Sequence, residues 1–198
     1  MTNPAARRPA VISAVVLAAG SSTRFGATKQ LMVVRGKTLV QHAVDAAAAV
    51  VDEVIVVLGH DADAVEAALA LPANVRAVHN PRHAQGQSTS LAAGLAACAP
   101  GSEAAVVLLG DQPGIREDHV RALVTAFEGS RPEVLRLRFR DGPGPALLAR
   151  PVWSEVLALT GDVGARAILD ADPERVRWIH VDEDVPPDVD APDDLERA

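Results

Sequence analysis

The run Val11-Ile12-Ser13-Ala14-Val15-Val16-Leu17 leads without a break into Ala18-Ala19-Gly20-Ser21-Ser22-Thr23-Arg24-Phe25-Gly26-Ala27-Thr28-Lys29. A continuous apolar run of strand length is the pattern of a strand buried on both faces, as in a parallel sheet. The small, polar segment after it then lies at the strand's carboxyl end, where open parallel sheets bind ligands. Small residues let backbone N–H groups approach phosphate oxygens, and the hydroxyls and two cations supply further donors. Arg24 can make forked contacts to phosphate, whereas Lys29 acts as a mobile point charge. The spacing is neither a P-loop, which ends in Gly-Lys-Ser/Thr, nor the dinucleotide fingerprint. A Gly/Ser loop alone is equally a plain turn; Arg24, Gly26 and Lys29 favour phosphate.

Working outward, Glu53–Leu58, Val75–His79 and Ala104–Leu109 repeat the buried-strand pattern. Thr38–Val50, Asp61–Ala70 and Ser88–Cys98, rich in Ala and Leu, read as the helices between them. Helix-length segments between apolar strands imply crossover connections and a mainly parallel sheet. The fold expected is therefore a three-layer α/β/α sandwich with a Rossmann-like sheet. Further on, Arg116–Glu128, Pro151–Leu159 and Val163–Ala171 read as helices, and Val176–Val181 as a last strand. Glu133–Arg140 alternates as a strand with one polar face, and Asp141–Pro145 reads as a turn. With no repeat, low-complexity tract or linker, residues 1–198 are expected to form one domain, with 1–10 flexible.

Composition narrows the function classes. Net charge is −7, which opposes broad capture of nucleic acid or an anionic membrane. Aromatics are 3% with no Tyr, so stacking platforms for bases are scarce. The only cysteine, Cys98, falls in a helical pattern and reads as a buried thiol, which excludes a disulfide within the chain and a cysteine-based zinc cluster. Val11–Ala19 is too short for a membrane span and lacks a signal peptide's layout, so a cytoplasmic protein is expected.

Leu17-Ala18-Ala19-Gly20 with Arg24, Gly26 and Lys29 resembles the signature of nucleotidyltransferases that activate sugars, isoprenoid precursors and the molybdenum cofactor. From about Val11 to Leu195 the chain most resembles the molybdenum cofactor cytidylyltransferase-like branch of the MobA-like NTP transferase family. That resemblance implies the fold of the nucleotide-diphospho-sugar transferases. It also implies a nucleotide site formed by Leu17, Ala18, Ala19, Gly20, Ser21, Ser22, Arg24 and Lys29.

Asp111 ends the Ala104–Leu109 strand region in Gly110-Asp111-Gln112-Pro113. A carboxylate at that end, opposite a triphosphate loop, is placed to hold Mg²⁺; the alternative is a cap for the helix near Arg116. The family's Gly-Asp-Gln-Pro pattern implies the metal role. Asp190, in Asp190-Ala191-Pro192-Asp193-Asp194-Leu195, also has a capping explanation. In the resembling family the corresponding acid shares the metal, although Ala191 replaces the usual Thr. Asp182, Glu183, Asp184 and Asp188 read as solvated surface charge.

Gly86, Ser88, Ser90 and Leu91 match the family's Gly-x-Ser-x-Ser-Leu segment, which implies contact with base and ribose; Ser88 alone could also cap a helix. Ala19 resembles the cytidylyl-transferring Leu-Ala-Ala-Gly rather than the guanylyl-transferring Leu-Ala-Gly-Gly. Its methyl could disfavour a purine by roughly 1–3 kcal/mol. On the acceptor side, Gln112, Gly144 and Asp162 are candidates. Gly144 stands where relatives have the His of Gly-His-Pro, while Gly161-Asp162-Val163-Gly164-Ala165-Arg166 matches the branch's segment. Arg136, Arg138 and Arg140 either greet an anionic acceptor or guard an edge strand.

The resemblance thus implies Mg²⁺-dependent transfer of CMP from CTP to a phosphate acceptor, catalysed by Arg24, Lys29 and Asp111, with metal on Asp111 and Asp190. The leading acceptor is molybdopterin cofactor, giving its cytosine dinucleotide. GTP as donor, or a methylerythritol-type phosphate as acceptor, are the runners-up. The reading of another class is a nucleotide-binding assembly protein that delivers cofactor to a molybdenum hydroxylase client.

Overall fold

In the computed structural model, which describes residues 10–21, 28–161, 164–165, 172–189 and 194, the opening apolar run is strand β1 (Ile12–Ala18). A short ribbon follows, β2 (Val33–Val34) against β3 (Lys37–Thr38), leading into α1 (Leu39–Ala48). Then come β4 (Glu53–Leu58), α2 (Ala62–Ala68), β5 (Val75–His79), α3 (Gln87–Ala97), β6 (Ala104–Leu109) and α4 (Glu117–Ser130). The remainder is β7 (Val134–Arg138), β8 (Pro143–Ala149), α5 (Trp153–Leu157) and β9 (Val176–His180). The seven-stranded sheet runs β5-β4-β1-β6-β8-β7-β9. Only β8 opposes its neighbours, so the expected mainly parallel sheet is what forms.

Period-two alternation along β1 explains the layers. Ala14 and Val16 pack with Val40 and Val44 of α1 and with Val120 and Leu123 of α4. Val15, on the opposite face, packs with Leu91 and Leu95 of α3 and with Trp153 and Val156 of α5. Each face of the sheet is therefore roofed by helices, the three-layer arrangement expected. α3 lies close enough that a Cβ on Gly94 would fall 2.3 Å from Val15 Cγ1.

Two readings of the sequence need correction. Asp141–Pro145 is not simply a turn, because β8 already begins at Pro143. β6 pairs with β8 only as far as Val107 with Ala146, so Pro143 and Pro145 lie beyond the ladder their missing N–H groups would break. Arg136 and Arg138 do not guard an edge either, since β7 lies between β8 and β9. The Val163–Ala171 helix expectation falls largely outside the described residues, as do residues 1–9.

Candidate functional site

From β1 the chain first moves outward to β4 and β5, then returns to place β6 on β1's other side. This reversal opens a crevice beyond the carboxyl ends of β1 and β6, which are in register at Leu17 and Leu109. A cavity of about 860 Å³ occupies it. Leu17, Ala19, Gly20, Ser21, Lys29, Gly86, Ser90 and Asp111, all expected from sequence, line it together. The end of β1, Lys29, the 83–87 loop with Ser90, and Asp111 are thus united by topology rather than by proximity in the chain.

Asp111 is delivered by the end of β6, where the Gly110 N–H donates to Leu17 O at 2.9 Å. Lys29 comes from a 3-10 turn (Lys29–Leu31), tied to the first loop by Gln30 Nε2 donating to Gly20 O at 2.9 Å. Lys29 Nζ meets Asp111 Oδ2 at 2.9 Å, with the lysine side chain almost wholly buried. Asp111 Oδ1 is buried and has no hydrogen-bond partner. Buried polar atoms are normally paired, so this oxygen, on a side chain that lines the cavity and without a partner among the described residues, is of the hard type a divalent cation takes. The donor set therefore fits Mg²⁺ or Mn²⁺. Val189, fully buried against Val34 and Leu39, donates its N–H to Asp111 O at 3.2 Å. Asp190, together with Ser22 and Arg24, lies outside the described residues.

The opposite wall is the loop from β5 to α3. Gly86, at φ +111 and ψ 167, occupies a conformation that side chains rarely adopt, and so lets the chain turn sharply into α3. Asn80, 3% exposed at the end of β5, is the hub the sequence reading missed. Its Nδ2 donates to Thr89 Oγ1 (2.9 Å) and Ser90 Oγ (3.0 Å), and its Oδ1 accepts from the Arg82 N–H. Asn80 thereby fixes the Ser90 hydroxyl on the cavity wall. Its position just past a strand's carboxyl end was the available signal.

Several expected residues stand elsewhere. Ala18 turns its methyl into the core, and Ser88 neither caps α3 nor lines the cavity; its hydroxyl donates to Gly161 O at 2.7 Å. Gly161 and Gly164 thus both lie against the start of α3, where a Cβ on Gly164 would fall 2.2 Å from Gln87 Oε1. Asp162 lies outside the described residues. Gln112 and Gly144 line a second, adjoining cavity of about 230 Å³, which shares Leu17, Gln87 and Leu109 with the first. Arg136 reaches this cavity and donates from Nε to Gly144 O at 3.2 Å. The Phe139 ring fills the space a side chain at 144 would need, coming within 2.4 Å of a Cβ built there. Cys98, at the far end of α3, has its thiol pushed up to about 11 by burial, and is no nucleophile.

The sequence profile of the MobA-like NTP transferase domain matches residues 14–176. Over 153 residues the chain is 35% identical to the bifunctional protein GlmU of Brevibacillus brevis, an alignment covering 75% of this chain and 32% of GlmU. It therefore spans about a third of the curated relatives it matches. The crystal structure of Rv0371c from Mycobacterium tuberculosis H37Rv is 35% identical, with 96% of this chain and 97% of that one covered at a TM-score of 0.85. A manganese complex of Rv0371c superposes at 0.79, with 94% and 96% covered at the same identity. A Methanothermobacter nucleotidyl transferase, Mth528, is 28% identical with 94% and 95% covered, at 0.80.

Proposed function

The chain belongs to the MobA-like NTP transferase family, a family of nucleotidyltransferases, and we propose that it transfers CMP from CTP to a phosphate acceptor, molybdopterin cofactor foremost, using Mg²⁺. The observation that carries this reading is the ion pair between buried Lys29 and half-buried Asp111 at the sheet's switch point, with Asp111 Oδ1 unpartnered among the described residues.

The acceptor phosphate oxygen attacks the α-phosphorus of CTP as the bond from that phosphorus to the bridging oxygen of the β-phosphate breaks. Pyrophosphate leaves with that electron pair. A phosphate nucleophile is already ionised, so no general base is needed, and catalysis reduces to alignment and charge neutralisation. Lys29 Nζ is held on Asp111 at the strand end, ready to meet phosphate charge, and Gly20 and Ser21 of the first loop line the same cavity. Arg24, in the same loop, is assigned to the triphosphate. Asp111 and Asp190 would hold a divalent metal, which would supply further neutralisation of the triphosphate charge. The Asn80-fixed Ser90 hydroxyl and Gly86 are assigned to ribose and base.

CTP is favoured by Ala19. Its methyl lies in the crowded contact with Gly59 and His83, where a Cβ on Gly59 would be 2.8 Å from Ala19 Cβ and 2.6 Å from His83 Cβ. That wall has little room to retreat for a purine. The acceptor is assigned to the adjoining 230 Å³ cavity, whose wall includes Gly164 and Ala165 of the segment resembling the molybdenum branch.

Pyrophosphate release measured for CTP, GTP and ATP, each with molybdopterin cofactor or a methylerythritol-type phosphate, tests the reading. CTP with molybdopterin should be fastest. Faster turnover of GTP overturns the donor assignment, and preference for the sugar phosphate overturns the acceptor. Tight cofactor binding without pyrophosphate release would instead identify an assembly protein.

A further inference from the structure

The 230 Å³ cavity assigned to the acceptor is smaller than the roughly 300–1,000 Å³ in which small-molecule sites enclose their ligands, so an acceptor seated there extends past its walls. One side is shared with the nucleotide cavity, and Arg136 stands on the side toward the sheet's edge. β8 opposes both β6 and β7, and β9 runs parallel to β7. The strands β6, β7 and β9 therefore all end on the side of the sheet that carries Asp111. Arg138, at the end of β7, is opposite Pro143 of the cavity wall. Trp178 of β9 is in register with Arg136, and both arginines reach its ring. Arg136 Cζ lies 5.8 Å and Arg138 Cζ 5.3 Å from the ring centroid, within the reach of a cation–π contact. The ring is 38% exposed on the last strand of the sheet.

Arg116, Arg121, Arg140 and Arg175 each meet a carboxylate. Among the described residues no carboxylate pairs with Arg138, whose side chain is exposed and steadied by the indole. Its planar N–H fork is left to bond an anion from outside. In a chain of net charge −7, this is positive charge concentrated beside a cavity rather than spread over a surface. We propose that Trp178 and Arg138 form the outer part of the acceptor site and bind a second anionic group on the acceptor, remote from its attacking phosphate. The proposal rests on the reading that the chain transfers a nucleotide to a phosphate acceptor. Adjacent strands lie about 4.8 Å apart, so Trp178 stands about 14 Å along the sheet from the strand that carries Asp111. An acceptor meeting both ends must be longer than a small sugar phosphate and carry charge at each end. Arg136, bonded to Gly144 O and facing the ring, joins the two parts.

Acceptor KM is measured by pyrophosphate release with whichever of molybdopterin cofactor and a methylerythritol-type phosphate turns over faster. Arg138→Gln should raise it about tenfold, the scale of a hydrogen bond to a charged group, with KM for CTP, kcat and melting temperature close to wild type. Arg138→Lys keeps the charge without the fork and should fall between. Trp178→Leu should raise acceptor KM about two- to fivefold, the scale of an exposed cation–π contact, and Trp178→Phe less. Arg177→Gln removes the same charge one residue away but on the opposite face, where Arg177 bonds Ser130 of α4, and should change nothing. A second readout needs no turnover. The chain has two tryptophans and Trp153 is buried, so acrylamide quenching of fluorescence follows Trp178. Molybdopterin cofactor should protect Trp178 in wild type, and in Arg138→Gln only at about tenfold higher concentration. If wild type turns over and both Arg138→Gln and Trp178→Leu keep its acceptor KM, the inference fails while the transfer reading stands. If wild type releases no pyrophosphate with either acceptor, the transfer reading fails. Protection of Trp178 by the cofactor then still upholds the second-anion site, and equal quenching with and without cofactor overturns it.

Discussion

Gly94→Ala sets helix propensity against packing, and the structure decides the sign. Ala is the better helix former by about 1 kcal/mol, so an exposed glycine in α3 would be stabilised by the change. Gly94 instead faces the sheet, where the new Cβ would lie 2.3 Å from Val15 Cγ1, 3.0 Å from Val57 Cγ2 and 3.2 Å from Val15 Cγ2. Ordinary carbon contacts are about 3.5–4.0 Å, so the overlap exceeds 1 Å. Both valines are fully buried, on adjacent strands and stiff at χ1, so α3 must retreat instead. Overpacking of this kind costs about 1–3 kcal/mol, which outweighs the propensity gain and leaves a loss of about 1 kcal/mol. For a chain of this size that lowers the melting temperature by about 2–4 °C. Because Gln87 and Ser90 in the first turn of α3 line the cavity, nucleotide affinity should fall as well. Urea unfolding and calorimetric CTP binding read the two effects. A melting temperature at or above wild type would refute the claim that close approach, rather than propensity, fixes this residue.

Two further outcomes concern titrating groups. Burial pushes the Cys98 thiol up to about 11 from an ordinary 9.0, so stability from burying it is complete below pH 9 and is lost as pH rises through 11. Iodoacetamide at about pH 8 should label Cys98 only in urea, and rapid labelling of the folded protein would contradict its placement. The Arg116 guanidinium, and then His119, hold Glu183 down to about 2 from an ordinary 4.5. Its contribution is therefore complete above pH 4.5 and is lost as pH falls through 2. The stability gap between wild type and Glu183→Gln should be widest at neutral pH and should close on acidification. A gap independent of pH would exclude an ionic contact between Arg116 and Glu183.

What the sequence made legible followed strong local patterns. The buried strands β4 and β6 coincide with their apolar runs, and β1 is displaced by one residue, because continuous apolar runs admit few alternatives; Val75–His79 is a strand as expected but not a buried one, since β5 is the sheet's edge and only Val75 is buried. The cavity lining was legible because small residues and polar groups cluster at strand ends, where the fold puts its ligands. β8 was hidden by Pro143 and Pro145, which read as breakers until the short ladder with β6 is known. Asn80 and Gln30 were missed because their value lies in tertiary hydrogen bonds to Ser90 and Gly20. Glu183, Asp184 and Asp188 read as solvated charge. In the fold they meet Arg116, Arg140 and Gln112, partners no local pattern could supply. Gly144 read as a lost polar contact, whereas its neighbourhood has been filled by Phe139 and bridged by Arg136.

The central claim is that the Lys29–Asp111 pair organises metal-dependent nucleotidyl transfer, and Asp111→Asn addresses it most directly. The substitution keeps the side chain's size and an oxygen for Lys29, so the melting temperature should stay close to wild type. Pyrophosphate release from CTP with Mg²⁺ and acceptor should fall about a hundredfold or more, the scale of losing transition-state charge stabilisation. Wild-type turnover should vanish on chelation and return with added Mg²⁺. A folded Asp111→Asn protein that releases pyrophosphate at near the wild-type rate would contradict the account.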